Sequence, residues 1–513
     1  IPLRLVGSEM CIRDRYYGAE LGNDFNNIRV QTAMWQPVLM INGFIIFVLG
    51  ALMLLPAAAL KYYTGSFDTI FIQNSILTMF IGGSLFLANY GKIKNISILQ
   101  GYLITVICWF ASPFICALPL YGNGEIATFA DALFEASSGL TTTGSTILGN
   151  VEAQPKSVLL WRAVLNGISG VGIVIFAVAL MPFLGIGGMH IFNKENSDTE
   201  EKFLPKIRYI AKDIILVYVL LNIICAVLLK WAGMNWFDAI CHALATLCTG
   251  GLSTKNNSVA YFDSPMIETI IGIFMLLGSL PMTYFVLIAK KRSFASVIEN
   301  NQVNTFLKLV FWYVLVISAF YAYTSDIPFV TAFRRASFNM ISAMTTTGFS
   351  SYDFIQWGTW AVAVFFILFL HGGCTGSTTG SIKIFRWQVI MAFFKKNATN
   401  SLSPNQVTVM KAGGKVIDDN IVSSVFVMAF GFLLAIMLFT LIISMTGVDF
   451  VTALGAVAGN ITNSGLGLTE ATGPAGNFAG FTPFVKYILS FVMVLGRLEV
   501  IAVFILLRKI HLM

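Results

Sequence analysis

Four short segments of this chain are copies of one another, and that repetition constrains the fold more than any other feature. FADALFEASSGLTTTG at 129–144, WFDAICHALATLCTGG at 236–251, FRRASFNMISAMTTTG at 333–348 and FVTALGAVAGNITNSG at 450–465 align without gaps. Each opens on an aromatic residue, carries alanine at its fourth position (Ala132, Ala239, Ala336, Ala453) and closes on glycine. The closing residues Gly144, Gly251, Gly348 and Gly465 lie 107, 97 and 117 residues apart. Such a period means repeated units that present the same element to a common centre.

The surroundings of the copies say what that element is. Of 513 residues, 57% are hydrophobic and 11% charged, whereas soluble domains carry about 25% charged residues. With a mean hydropathy of +0.78, the chain cannot cover itself with a water-compatible surface, so long apolar stretches read as bilayer spans. They fall near 37–60, 68–90, 97–121, 157–182, 208–232, 264–290, 304–324, 358–394, 420–446 and 483–509. The eighth is too long for one crossing and is broken by a Gly-rich stretch. Lys92, Lys94, Lys194, Lys202, Lys206, Arg208, Lys212, Lys290, Lys291, Arg292, Lys395, Lys396, Lys411, Lys415, Arg508 and Lys509 fall on one side if every crossing alternates. Glu125, Asp238, Asp263, Asp326, Asp353 and Glu470 fall on the other. The basic side is cytoplasmic by the positive-inside rule, and both termini lie there. The net charge of +7 is this bias and needs no nucleic-acid partner.

Each copy sits between two spans. The dozen residues before its glycine are too few to cross a bilayer and too apolar for an aqueous loop. A short helix that enters the membrane and returns as extended chain is predicted, with Thr128 and Asp131 spaced as a capping box on the first. The returning Thr/Gly-rich tails cannot face lipid, where unpaired backbone groups are costly, so they must line a water- or ion-filled path. Four tails around one axis can aim rings of carbonyls inward to replace the hydration shell of a cation. Glycine allows backbone angles that a β-carbon disfavours, and the C-terminal ends of the short helices add partial negative charge. The expected filter is Thr142, Thr143 and Gly144 with Thr249, Gly250 and Gly251, completed by Thr346, Thr347 and Gly348 with Asn463, Ser464 and Gly465.

Two features break the fourfold pattern. The eighth span contains His371-Gly-Gly-Cys-Thr-Gly-Ser-Thr-Thr-Gly380-Ser-Ile-Lys383, a composition that will not hold a straight helix. Unwound backbone at that depth lines a cavity, and placed inside the third segment it would form a movable constriction. The alternative is a kink that lets helices pack closely. His371 reads as a hydrogen-bonded core residue. Arg497 lies within the last span, where a charge marks a functional site by default. It would donate to carbonyls of the unwound loop or repel a cation at the waist of the pore. A pair with Glu499 is disfavoured, because residues two apart point to different helix faces. Arg162 is expected to snorkel to the outer interface and Glu135 to brace the first short helix.

The four Thr/Gly segments, Cys248-Thr-Gly-Gly-Leu-Ser-Thr254 and Gly372-Gly-Cys-Thr-Gly-Ser-Thr-Thr-Gly-Ser-Ile-Lys383 resemble the Trk/Ktr/HKT superfamily of potassium transporters. Two spans ahead of the first copy resemble its TrkH branch rather than the eight-span KtrB branch. The resemblance implies an all-α integral membrane fold of about ten spans. Four helix–pore loop–helix units would surround a central pore in pseudo-fourfold arrangement, with an extra helix pair in front. The units would be 97–195, 196–300, 301–415 and 416–513, preceded by the pair at 37–96 and a cytoplasmic segment at 1–36 that is in part an artefact. By position, Gly372, Gly373, Cys374, Thr375, Gly376, Ser377, Thr378, Thr379, Gly380 and Lys383 match the family's intramembrane gating loop, and Arg497 the arginine of its last helix. The resemblance further implies potassium uptake by a homodimer in the bacterial inner membrane, gated by a cytosolic ring of RCK-type subunits. NAD or ATP would bind that ring, since this chain carries neither a dinucleotide fingerprint nor a P-loop. No covalent cofactor is implied, only K+ in the pore. Cys248 and Asn463 depart from the threonine pattern and predict an asymmetric ring with weaker discrimination against sodium.

Other classes fit less well. An ion-coupled secondary symporter predicts inverted repeats in two halves, whereas these four copies share one orientation. The potassium-translocating subunit of a P-type pump would share the four-unit layout but need an ATPase partner. An intramembrane enzyme would need a nucleophile–base set or a metal cluster within the spans. Neither is present in the sequence, and the seven scattered cysteines suggest no disulfide framework.

Overall fold

A computed structural model of the chain describes residues 35–91, 98–179, 200–291, 300–403, 406, 409–413 and 415–498. The expected cytoplasmic N-terminal segment, Glu499, and many of the basic residues that set the expected orientation lie outside these.

The described residues are mostly helical. Seven helices are long and apolar enough to cross a membrane: Trp35–Thr64, Thr69–Asn89, Leu99–Ala117, Lys156–Val174, Tyr209–Trp231, Asn301–Ser325 and Asp419–Ser444. Their outward faces are the reverse of a soluble protein. Phe80 and Leu87 are each 72% exposed, and Phe311, Phe430 and Leu441 are also open to the surroundings. A belt of large apolar groups is stable only against lipid. The polar residues turn inward instead, toward the axis.

Around that axis stand four shorter helices, Phe129–Leu140, Trp236–Leu247, Phe329–Met344 and Phe450–Ile461. Three of them have 12 residues, which at 1.5 Å per residue reach about 18 Å and fall short of the ~30 Å hydrocarbon core. Their starts are fixed by side chains that satisfy otherwise orphaned N–H groups. Thr128 accepts from Asp131 N at 3.2 Å, Asn235 from Asp238 N at 2.8 Å, and Asp449 from Val451 N at 3.1 Å. Thr128 also donates to the Asp131 carboxylate at 2.6 Å, so the expected capping pair forms.

Two of the three remaining expected spans are broken. The stretch read as 358–394 divides into Thr359–Phe369 and Ile384–Leu402, with the Gly-rich loop between them. The stretch read as one crossing at 264–290 is also two helices, Pro265–Gly278 and Met282–Lys291, whose axes bend by 92°. Pro281 explains this second break, because it lacks an N–H and its ring clashes with a continuing helix. The last span is described only as Pro483–Arg497. A short hairpin, Lys411–Ala412 with Lys415–Val416, packs Met410 and Ala412 against Phe385 and Val389 of the helix that continues the loop.

Candidate functional site

Each short helix ends in the same backbone conformation. The second residue after it (Thr142, Thr249, Thr346, Asn463) is left-handed, with φ of 51, 54, 52 and 56°. The next residue donates its N–H to a carbonyl five residues back: Thr143 to Ser138 at 2.9 Å, Gly250 to Ala245 at 2.8 Å, Thr347 to Ser342 at 2.8 Å and Ser464 to Gly459 at 2.9 Å. The closing glycines follow with φ of 92, 65, 88 and 73°. A left-handed non-glycine residue costs about 1–2 kcal/mol. Four such residues in one register, three of them β-branched, are strain held at a functional site.

The four tails close into a ring. A β-carbon added at Gly144 would fall 2.7 Å from Gly250 O, and at Gly251 2.0 Å from Thr347 O. At Gly348 it would fall 2.3 Å from Ser464 O, and at Gly465 2.2 Å from Thr143 O. Each glycine therefore abuts the carbonyl that precedes the glycine of the next segment, and the fourth returns to the first. Among the described residues none of these four carbonyls accepts a hydrogen bond. A cation held by them would complete their coordination. On one side of the ring, all four glycines line a cavity of about 140 Å3 that also reaches Arg162, Lys255 and Asn256.

Polar braces hold the tails from behind. In three segments the residues flanking the left-handed position share a hydroxyl bond: Thr141 with Thr143 and Thr345 with Thr347 at 2.7 Å, Thr462 with Ser464 at 3.0 Å. In the first three copies the seventh position of the repeat supplies a second brace, whereas the fourth carries Ala456 there. Glu135 accepts from Ile147 N at 3.0 Å, His242 Nε2 bonds the Ser253 hydroxyl at 2.9 Å, and Asn339 accepts from Ser351 N at 3.3 Å. The imidazole Nδ1 must donate to Asp238 O, 2.8 Å away, so Nε2 accepts from Ser253. The signal for these braces was one polar residue at a fixed repeat position, hidden by its changing identity. Arg162 does not snorkel outward as expected. It is 2% exposed, lies 2.6 Å from the Glu135 carboxylate and donates to Ser253 O at 3.2 Å. A buried carboxylate attracts the guanidinium more than the interface does.

The Gly-rich loop packs against the ring from the opposite side. Gly380 donates to Thr346 Oγ1 at 2.8 Å, and a β-carbon on Gly380 would fall 2.3 Å from Thr462 O. Thr378 Oγ1 lies 3.3 Å from Thr249 Oγ1 and donates to Gly278 O at 3.0 Å. The loop thus touches the second, third and fourth segments. Its backbone is satisfied by the break in the neighbouring span: Cys374 N donates to Ser279 O at 3.0 Å, Thr378 N to Gly278 O at 3.2 Å, and Met282 N to Gly376 O at 3.2 Å. Within the loop, Thr379 Oγ1 accepts from Gly373 N at 3.0 Å and bonds Ser377 Oγ at 2.8 Å. Lys383 donates to Thr379 Oγ1 at 2.9 Å. Gly372 donates to Ile382 O at 2.9 Å, and Thr375 N to Gln302 at 3.3 Å. His371 bonds Ile367 O at 2.9 Å and stacks on Trp387, but it is only half-buried, so the expected hydrogen bond is found at the edge of the core and not within it.

Arg497 joins loop to ring. One guanidinium nitrogen donates to Thr378 O and to Thr142 Oγ1, both at 2.7 Å. Of the two expected placements, donation to loop carbonyls is the one found. With it, all four segments are connected to the loop.

Membrane-length helices around a ring of bare carbonyls define a cation-transport protein of the bilayer. The model of the TrkH family, described as cation transport protein, matches residues 68–512. The chain belongs to that family. It is 32% identical over 475 residues to the Trk system potassium uptake protein TrkI of Halomonas elongata, covering 92% of this chain and 96% of the relative. Trk system potassium uptake protein TrkG of Escherichia coli is 30% identical over 467 residues, covering 90% and 96%. The crystal structure of the potassium transporter TrkH from Vibrio parahaemolyticus superposes with a TM-score of 0.83 at 29% identity, covering 92% of this chain and 98% of that one.

Proposed function

We propose that this protein takes up potassium through a gated, channel-like path. The ring Thr142–Gly144, Thr249–Gly251, Thr346–Gly348 and Asn463–Gly465 is its selectivity filter, and loop 372–383 with Arg497 is its gate. The observation that carries the reading is the closed set of glycine–carbonyl contacts. It leaves four carbonyls around one ring with no hydrogen-bond donor among the described residues. Rings of carbonyls replace the hydration shell of a monovalent cation, and the family's potassium-uptake members support K+ as that cation. The path runs in pore units 97–195, 196–300, 301–415 and 416–513. The protein sits in the bacterial inner membrane with both termini cytoplasmic, as a homodimer docked on an RCK-type ring that binds the nucleotide.

The test is rubidium and sodium uptake in cells lacking their own potassium uptake, comparing wild type with Gly348→Ser. A serine there meets both a φ of 88° and the Ser464 carbonyl, so strong rubidium uptake should lose its preference over sodium. If wild type moves neither ion, even with a cytosolic ring partner co-expressed, the potassium reading is wrong.

A further inference from the structure

The second segment differs from the others at two linked positions. Where the first, third and fourth segments carry a hydroxyl pair flanking the left-handed residue, the second carries Cys248 and Gly250. Its backbone nevertheless has the same shape, with Thr249 at φ 54° and the same five-residue N–H bond. Something other than a hydroxyl pair must hold it there.

The helix Lys156–Ala179 is pressed against this segment. A β-carbon at Gly170 would fall 2.6 Å from Cys248 Cβ. One turn earlier, Asn166 is fully buried. A β-carbon at Gly250 would fall 2.7 Å from Asn166 Cγ and Nδ2 and 2.8 Å from Oδ1. The three nearest atoms are thus the three atoms of the amide group. Asn166 occupies the space that Thr143, Thr347 and Ser464 fill with their own side chains. A buried amide is ordinarily accounted for by its hydrogen bonds. Neither amide atom of Asn166 bonds to a described residue, so what the amide gives this segment is packing against Gly250 and not a hydrogen bond.

We propose that Asn166 is the positioning residue of the second filter segment, standing in from a neighbouring helix for the hydroxyl pair this segment lacks. The inference rests on the four tails being the filter. It predicts compensation, which a general packing role would not give. Asn166→Ala should lower the rubidium-to-sodium uptake ratio by about fivefold, the effect of a small cavity opened beside Gly250. Gly250→Thr alone should lower it further, because its β-carbon collides with the amide. Removing the amide and restoring the pair, in Asn166→Ala/Cys248→Ser/Gly250→Thr, should return the ratio to within about twofold of wild type.

The experiment measures both ions in cells lacking potassium uptake, normalised to protein in the membrane, with Gly348→Ser alongside. If Asn166→Ala does not accumulate, Cys248→Ser/Gly250→Thr is compared with and without it. The proposal requires the alanine to improve selectivity in that background, and equal or greater damage overturns it. Unchanged selectivity in Asn166→Ala while Gly348→Ser loses it also overturns the proposal and leaves the filter intact. Unchanged selectivity in Gly348→Ser removes the filter reading itself.

Discussion

Arg497→Met removes the hydrogen bonds that tie the Gly-rich loop to the first segment while keeping a side chain of similar reach. The guanidinium donates to Thr378 O and Thr142 Oγ1, each at 2.7 Å, from a site only 9% exposed. Hydrogen bonds from a charged group contribute about 1.5–3 kcal/mol each, so the two together hold the loop by about 3–6 kcal/mol. Once the arginine is gone, Thr142 and Thr378 can find other partners, so the lower figure is the better guide. At 1.4 kcal/mol per decade, about 3 kcal/mol shifts the balance between seated and displaced loop by about 100-fold. A path open about 1% of the time would then be open about half of it. Purified protein in liposomes, with no cytosolic partner, should show correspondingly faster rubidium flux and higher single-channel open probability. Arg497→Lys separates clamp from charge, because the ammonium keeps the positive charge on a shorter side chain that does not carry its nitrogen to the point between the two acceptors. It should fall between wild type and the methionine variant. Flux through Arg497→Met at or below wild type would refute the clamp. So would a lysine variant as tightly closed as wild type, since charge alone would then suffice.

Gly380→Ala places a methyl 2.3 Å from Thr462 O and should lift the loop from the ring, raising basal rubidium leak in the same liposomes while leaving the rubidium-to-sodium ratio unchanged. Glu135→Gln strands the buried Arg162 charge, a change that costs about 3–5 kcal/mol. Thermal unfolding of the detergent-solubilised protein should move down accordingly, and Glu135→Gln/Arg162→Gln should recover part of the loss.

The fourfold plan was legible because the filter residues must satisfy a backbone condition, and that condition writes glycine at one fixed place in every copy. The broken eighth span is legible for a similar reason, since four glycines in nine residues cannot be read as a straight helix. The break at Pro281 is not legible in the same way, because the flanking stretch is uniformly apolar and hydropathy alone does not register a missing N–H. The break matters, for the freed carbonyls of Gly278 and Ser279 are what receive the loop. The place of Arg162 is not legible either, because a long cationic side chain near a span end has two homes, and only the fold brings Glu135 within reach. The braces at Glu135, His242 and Asn339 share a place but not a chemistry, so no residue-type pattern announces them. Asn166 lies outside the repeats altogether, and nothing in the sequence joins it to Gly250.

The ring is written into one polypeptide, and this sets how it responds to change. In an assembly of four identical subunits every substitution strikes all quadrants at once. Here a substitution at Gly465 disturbs the single contact with Thr143 and leaves the other three junctions as they were. Each quadrant can accordingly be altered by itself, and selectivity can be adjusted in quarter steps. The present chain already has two such steps, Cys248 with Gly250 in one quadrant and Asn463 in another. Asn463 donates to Thr143 Oγ1 at 3.0 Å and to Met493 O at 3.1 Å, bonds that a threonine could not make together. Divergence of this kind is open to a fused ring and closed to a symmetric one.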